Sequence, residues 1–90
     1  MTALRKRLEG LVVREVDDGT LLLDMAANQI HQLNQTAGFI WSKCDEAASV
    51  DEIAASLARR FDVGKDIAMR DVSEILRRFR TLNLIEEARS

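Results

Sequence analysis

The chain reads as an α+β domain, with an N-terminal three-stranded antiparallel sheet followed by three α-helices, and three observations predict it. Short aliphatic runs separated by turn residues fill positions 11–33. The apolar period becomes helical at Asn34. A capping box then opens a further helix at Ser49.

The elements follow in order. Leu11 to Val16, Leu21 to Leu23 and Ile30 to Leu33 are the aliphatic runs expected to be strands. Asp18-Gly19 between the first two is a two-residue hairpin signal, because a type I′ turn needs positive φ at both central positions. The second connection, Met25 to Gln29, is looser, and together they predict a meander. Asn34 can cap a helix by accepting from the amide of Thr36 or Ala37, after which Ala37, Ile40, Trp41 and Cys44 form one apolar stripe. In Ser49-Val50-Asp51-Glu52 the serine hydroxyl and the glutamate carboxylate each satisfy an amide that the first helical turn leaves unpaired. The stripe of that helix is Val50, Ile53, Leu57 and Phe61. A third helix is expected from about Lys65 to Leu82, with Ala68, Val72, Ile75, Leu76, Phe79 and Leu82 on one side. Asn83 ends it in the left-handed conformation, and Leu84 and Ile85 return to the core. Met1 to Lys6 and Glu86 to Ser90 are expected to fray, leaving an ordered core of about residues 11–87 within one domain, 1–90.

Ninety residues, 47% of them hydrophobic and 31% charged, make one globular domain with a single modest core. No apolar run reaches the length of a membrane span or of a signal-peptide core, so the expected location is cytoplasmic, away from any membrane. One cysteine cannot close an internal disulfide, which agrees with a reducing compartment. A formal charge of −2 creates no overall field for nucleic acid.

Catalytic chemistry finds little support. His31 is the only histidine and Cys44 the only cysteine, so the chain cannot build a two-histidine metal site or a CxxC pair, and no cofactor is expected. Cys44 shares the apolar face of Ile40 and Trp41 and is expected to be a buried, inert thiol. The glycines at 10, 19, 38 and 64 are scattered, which excludes a phosphate-cradling loop. Asn34-Gln35-Thr36 matches a glycosylation sequon, but a helix cap explains it better. The chain is expected to bind rather than to catalyse.

Its candidate binding surface has two parts. The third helix carries Arg70, Arg77, Arg78 and Arg80 as a candidate basic face, with Arg59 and Arg60 nearby in sequence. Arg70, Ser73 and Arg77 lie along one side of its apolar stripe, an amphipathic wall suited to an acidic or mixed peptide. The sheet edge beside such a wall can accept an added strand, with backbone hydrogen bonds supplying affinity and side-chain pockets supplying selection. An ordinary solvated face, offset by Asp66, Asp71 and Glu74, explains the arginines equally simply. Three strands and three helices also resemble a winged helix with its elements reordered. A DNA-binding module using the third helix is therefore an alternative, as is a dimerisation or scaffold subunit that exchanges strands between chains to form a homodimer.

Several segments together carry a resemblance. His31-Gln32-Leu33-Asn34-Gln35-Thr36-Ala37, Ile40-Trp41, Val50-Asp51-Glu52-Ile53-Ala54, Phe61-Asp62-Val63 and Leu82-Asn83-Leu84-Ile85 look like the PqqD family, over roughly Val12 to Glu87. Asn28 and Asn83 stand where many relatives place glycine, and asparagine also tolerates the left-handed conformation. The resemblance implies a small peptide chaperone, a RiPP recognition element, that binds the leader of a ribosomally made precursor peptide as an extra antiparallel strand. It implies presentation of that precursor to a modifying enzyme, often a radical SAM protein, as in pyrroloquinoline quinone biosynthesis. Carried onto this chain, the strand edge is Gln29, Ile30, His31, Gln32 and Leu33. The groove wall is expected to use Val72, Ile75 and Leu76 as apolar contacts and Arg70, Ser73 and Arg77 as polar ones.

Overall fold

The structure is a computed structural model and describes residues 2–44 and 49–89. Its elements are β1 (Thr2–Lys6), β2 (Leu11–Val16), β3 (Gly19–Asp24), β4 (Gln29–Asn34), α1 (Gln35–Ser42), α2 (Val50–Phe61), α3 (Lys65–Thr81) and β5 (Ile85–Arg89). The expected meander is β2-β3-β4, antiparallel throughout, with β3 central. Along β3, Thr20, Leu22 and Asp24 are buried under the helices while Leu21 and Leu23 are half-buried on the other face, the alternation of a sheet covered on one side.

The first hairpin differs from the expected one by a single residue. Val16 pairs with Gly19, so the two-residue connection is Asp17-Asp18, and neither aspartate has positive φ. Gly19 instead serves the strand: its φ is 153°, and a Cβ there would overlap the carbonyl oxygen of Leu33 on β4. Gly38 has a comparable task on α1, where a Cβ would lie 2.7 Å from the Thr20 hydroxyl, so its absence lets the helix settle onto β3.

The helices begin where their caps predict. Asn34 Oδ1 accepts from the Ala37 amide at 2.8 Å, and Ser49 and Glu52 close a complete capping box. The left-handed Asn83, φ 59°, ends the run after α3, where the Leu84 amide reaches back to the Phe79 carbonyl at 2.8 Å. One cluster fills the interior: Leu22 and Leu33 from the sheet, Ile40, Trp41 and Cys44 around α1, Ile53 and Leu57 from α2, Val72, Leu76 and Phe79 from α3, and Leu84 and Ile85. Trp41 is 4% exposed and donates its indole N–H to the Leu84 carbonyl at 3.0 Å, tying α1 to the segment that follows α3. Cys44 is fully buried, its thiol donating to the Ile40 carbonyl.

Residues 2–6 and 86–89 are paired and not frayed as the sequence suggested, while Met1 and Ser90 lie outside the described residues. β1 pairs antiparallel with β5, from Thr2↔Arg89 to Lys6↔Ile85, as a separate two-stranded sheet. Buried Leu84 and Ile85 anchor one strand, and the Lys6 amide, bonded to the Cys44 carbonyl at 2.9 Å, anchors the other. Opposite charges meet across the pair at Arg5 and Glu86, 3.5 Å apart. Neither tail shows a strand pattern alone, since each gains its partner only from the far end of the chain.

A bidentate ion pair ties this second sheet to the first. Arg7, just after β1, places Nη1 and Nη2 at 3.0 and 2.7 Å from the Asp24 carboxylate and also donates to the Asn83 carbonyl at 2.9 Å. Asp24 is 2% exposed and accepts from the Ala27 amide as well, so it holds together β3, the β3–β4 turn and the end of α3. The Arg7 hydrogen bonds, and then the Ala27 amide, keep its carboxyl below the usual carboxylate range. A depressed folded pKa means that the stabilisation is complete above the unfolded value, near pH ~4, and is lost as pH falls through the folded value. Asp24→Asn is expected to flatten the acid limb of stability, measured by urea unfolding between about pH 5 and 2. An unchanged acid limb would contradict this role.

Candidate functional site: a groove between a free strand edge and the third helix

Because the sheet order is β2-β3-β4, β4 pairs on one side only among the described residues. In an antiparallel ladder every second residue turns its N–H and C=O away from the neighbour, so half of β4 presents unpaired backbone groups along its outer edge. α3 stands beside that edge. Between them lies a cavity of about 520 Å³, reached on the strand side by Ile30, His31, Gln32, Leu33 and Asn34, on the helix side by Ile75, Arg78, Phe79 and Leu82, and at one end by Asp18 and Ala37.

The strand side follows from alternation. Leu33 and His31 turn toward the helices, Leu33 almost fully buried, whereas Ile30 and Gln32 are exposed on the opposite face. Ile30 is 70% exposed and stands in a cross-strand row with Leu23 and Val12, so apolar surface continues past the edge onto the uncovered face of the sheet. His31 Nε2 is the one buried side-chain nitrogen or oxygen among the described residues without a hydrogen-bond partner. Such an atom costs about 1–3 kcal/mol until a partner reaches it.

The helix side follows from 3.6 residues per turn. Ile75, Phe79 and Leu82 recur at i, i+4 and i+7 and line the groove with Arg78. Ile75 is half-buried and Leu82 is 38% exposed, so apolar surface stays open at the groove.

The structure brings Ile30, His31, Gln32, Leu33 and Ile75 together on this groove, out of the residues that the sequence nominated. Gln29 lies at the start of β4, beyond the lining. Val72 and Leu76, at 0% and 1% exposure, are in the core behind the wall and not on its surface. Arg70, Ser73 and Arg77 are exposed and away from the groove: at about 100° per residue they fall nearly opposite Ile75. The physical reason is the width of the apolar stripe, one flank of which packs on α2 and α1 while the other faces β4. Phe79, Leu82, Asn34, Ala37 and Asp18 line the groove without being expected there, and Arg78 is the one arginine of the α3 basic face that reaches it. The i, i+3, i+4, i+7 spacing of 75, 78, 79 and 82 was a usable signal, but which flank meets β4 depends on the docking of the helix.

Among the described residues, no cluster of three or more histidine, cysteine or acidic side chains could hold a metal ion, and no helix is long and apolar enough to cross a membrane.

Comparison with known proteins agrees with this architecture. No curated protein matches the chain significantly. Two solved structures superpose over nearly its whole length. One, described as TbiB1 in complex with the TbiA(beta) leader peptide, has a TM-score of 0.79 at 23% identity, covering 96% of this chain and 100% of that one. The other, a lasso peptide synthetase B1 complexed with the leader peptide, has a TM-score of 0.78 at 25% identity, covering 92% and 96%. The family model for coenzyme PQQ synthesis protein D matches residues 19–85, from the start of β3 to the start of β5, and the chain therefore belongs to the PqqD family.

Proposed function

We propose that this chain is a non-catalytic chaperone that binds the leader of a ribosomally synthesised precursor peptide as an added strand on β4 and presents it to a modifying enzyme. The observation that carries the reading is the unpaired β4 edge facing the open apolar side of α3. A strand laid there gains backbone hydrogen bonds on one side and side-chain burial against Leu33, Ile75, Phe79 and Leu82 on the other. Membership of the PqqD family supports the role, as do two structural neighbours described as leader-peptide complexes. Strand hydrogen bonds and buried leader side chains give a gross gain of about 10 kcal/mol, and ordering a disordered leader takes back about 2–5 kcal/mol, with association entropy taking more. Dissociation constants from submicromolar to tens of micromolar are therefore expected, tight enough to deliver a peptide and weak enough to release it. A cytoplasmic location and a radical SAM enzyme as partner fit the family; the pathway follows from whichever precursor binds.

The test is titration of leader segments from precursor peptides encoded near this chain's gene, followed by fluorescence anisotropy. Strand addition predicts saturable micromolar binding that weakens less than about threefold between about 50 and 200 mM salt. DNA binding through the α3 arginines predicts a loss of about 100-fold or more over that range. Strong salt dependence with duplex DNA, and no leader binding, would overturn the proposal.

A further inference from the structure

The groove carries two charges without a counter-ion among the described residues, and they sit at different points along it. Asp18 lies in the β2–β3 turn, beside the Asn34 end of β4, because Gly19 pairs with Asn34. Arg78 lies on α3, between Ile75 and Leu82. Arg7 bridges Asp24, which pairs with Gln29, to the Asn83 carbonyl just past α3. The end of α3 is therefore next to the start of β4, which puts Leu82 toward the Gln29 end of the groove and Asp18 at the Asn34 end.

This arrangement gives the groove a direction. Antiparallel pairing is the more stable ladder per residue, so a peptide added to β4 runs from the Asn34 end toward the Gln29 end, along α3. Travelling that way it passes Asp18, then Ile75, then Arg78, then Leu82. From Ile75 to Leu82 the helix advances about 10 Å, which an extended peptide covers in about three residues. On the strand-addition reading, we infer that Asp18 and Arg78 select leaders in which a basic residue precedes an apolar anchor and an acidic residue follows it. A guanidinium is suited to a carboxylate in this setting, since its planar fork can hold both oxygens. The charge order also opposes reversed binding, in which each leader charge would meet a like one.

Selection of a phage-displayed library of random peptides, about twelve residues long, on the wild-type chain and on the double variant D18K/R78E tests this. Both positions are exposed, so the variant should keep its fold, which circular dichroism checks. The wild type should enrich the order basic, apolar, acidic, and the double variant the order acidic, apolar, basic. Each protein should prefer its own class by roughly fivefold or more when representative peptides are synthesised and titrated, the product of two partly exposed ion pairs. Peptides without a charge order, or the same order from both proteins, would overturn the inference and leave strand addition standing. No enriched peptides, or peptides whose binding survives Ile75→Asp, would overturn the underlying reading and the inference with it.

Discussion

Ile75→Asp is expected to abolish leader binding while leaving the domain folded. Ile75 is only half-buried in the free protein and packs on the outside of the core, so the substitution leaves the buried cluster of Val72, Leu76 and Phe79 in place. With a peptide in place, its side chain lies on an apolar floor beside Leu33, Phe79 and Leu82. The variant then loses the burial of a large aliphatic group, about 1.5–3 kcal/mol, and requires a carboxylate to shed water without a partner. Together these weaken binding by roughly 100-fold or more. Arg77→Asp, an equal insertion of negative charge on the far side of α3, should change the affinity less than about threefold. Paired titrations of the two variants, with thermal unfolding as a control, would contradict the groove assignment if both lost binding equally or neither did.

Trp41→Ala is expected to be the most destabilising single truncation, at about 3–5 kcal/mol in urea unfolding. The indole is almost fully buried, fills the centre of the core and holds the Leu84 carbonyl. Its loss leaves a cavity and removes one of the two donors to the Leu84 carbonyl, which keeps only the Arg7 amide at 3.1 Å. For a domain of this size that is a large part of the whole stability, at roughly 0.05–0.15 kcal/mol per residue. A cost below about 1 kcal/mol would show that the α1 corner does not organise the core as described.

Local chemistry made the helical half of the fold readable. Asn34, Ser49 with Glu52, and Asn83 each set a helix end through a hydrogen bond or a backbone conformation within a few residues, and the structure shows all three. Long-range pairing hid the rest. Nothing near Thr2 or Arg89 indicates that these residues face each other, and the Arg7–Asp24 clamp joins segments with no shared local pattern. The hairpin differs by one residue for a related reason: Gly19 is required by the Leu33 carbonyl on a strand distant in sequence, and not by the turn itself. At the site, the β4 edge was legible because the Leu33-Asn34 boundary ends the last aliphatic run before the helices. The α3 wall was legible only to within a rotation of the helix. That rotation separates Ile75 and Arg78, which line the groove, from Arg70, Ser73 and Arg77, which do not, and it sends Val72 and Leu76 inward.

Amide hydrogen exchange along β4, followed by NMR with and without saturating leader, tests strand addition most directly. The amides that bond β3 should be protected in both states. The alternate amides, which point to the open edge, should exchange fast in the free protein and become protected on binding, giving a two-residue periodicity from Gln29 to Asn34. Unchanged exchange at those amides under saturation, or new protection along β2 instead, would contradict the account.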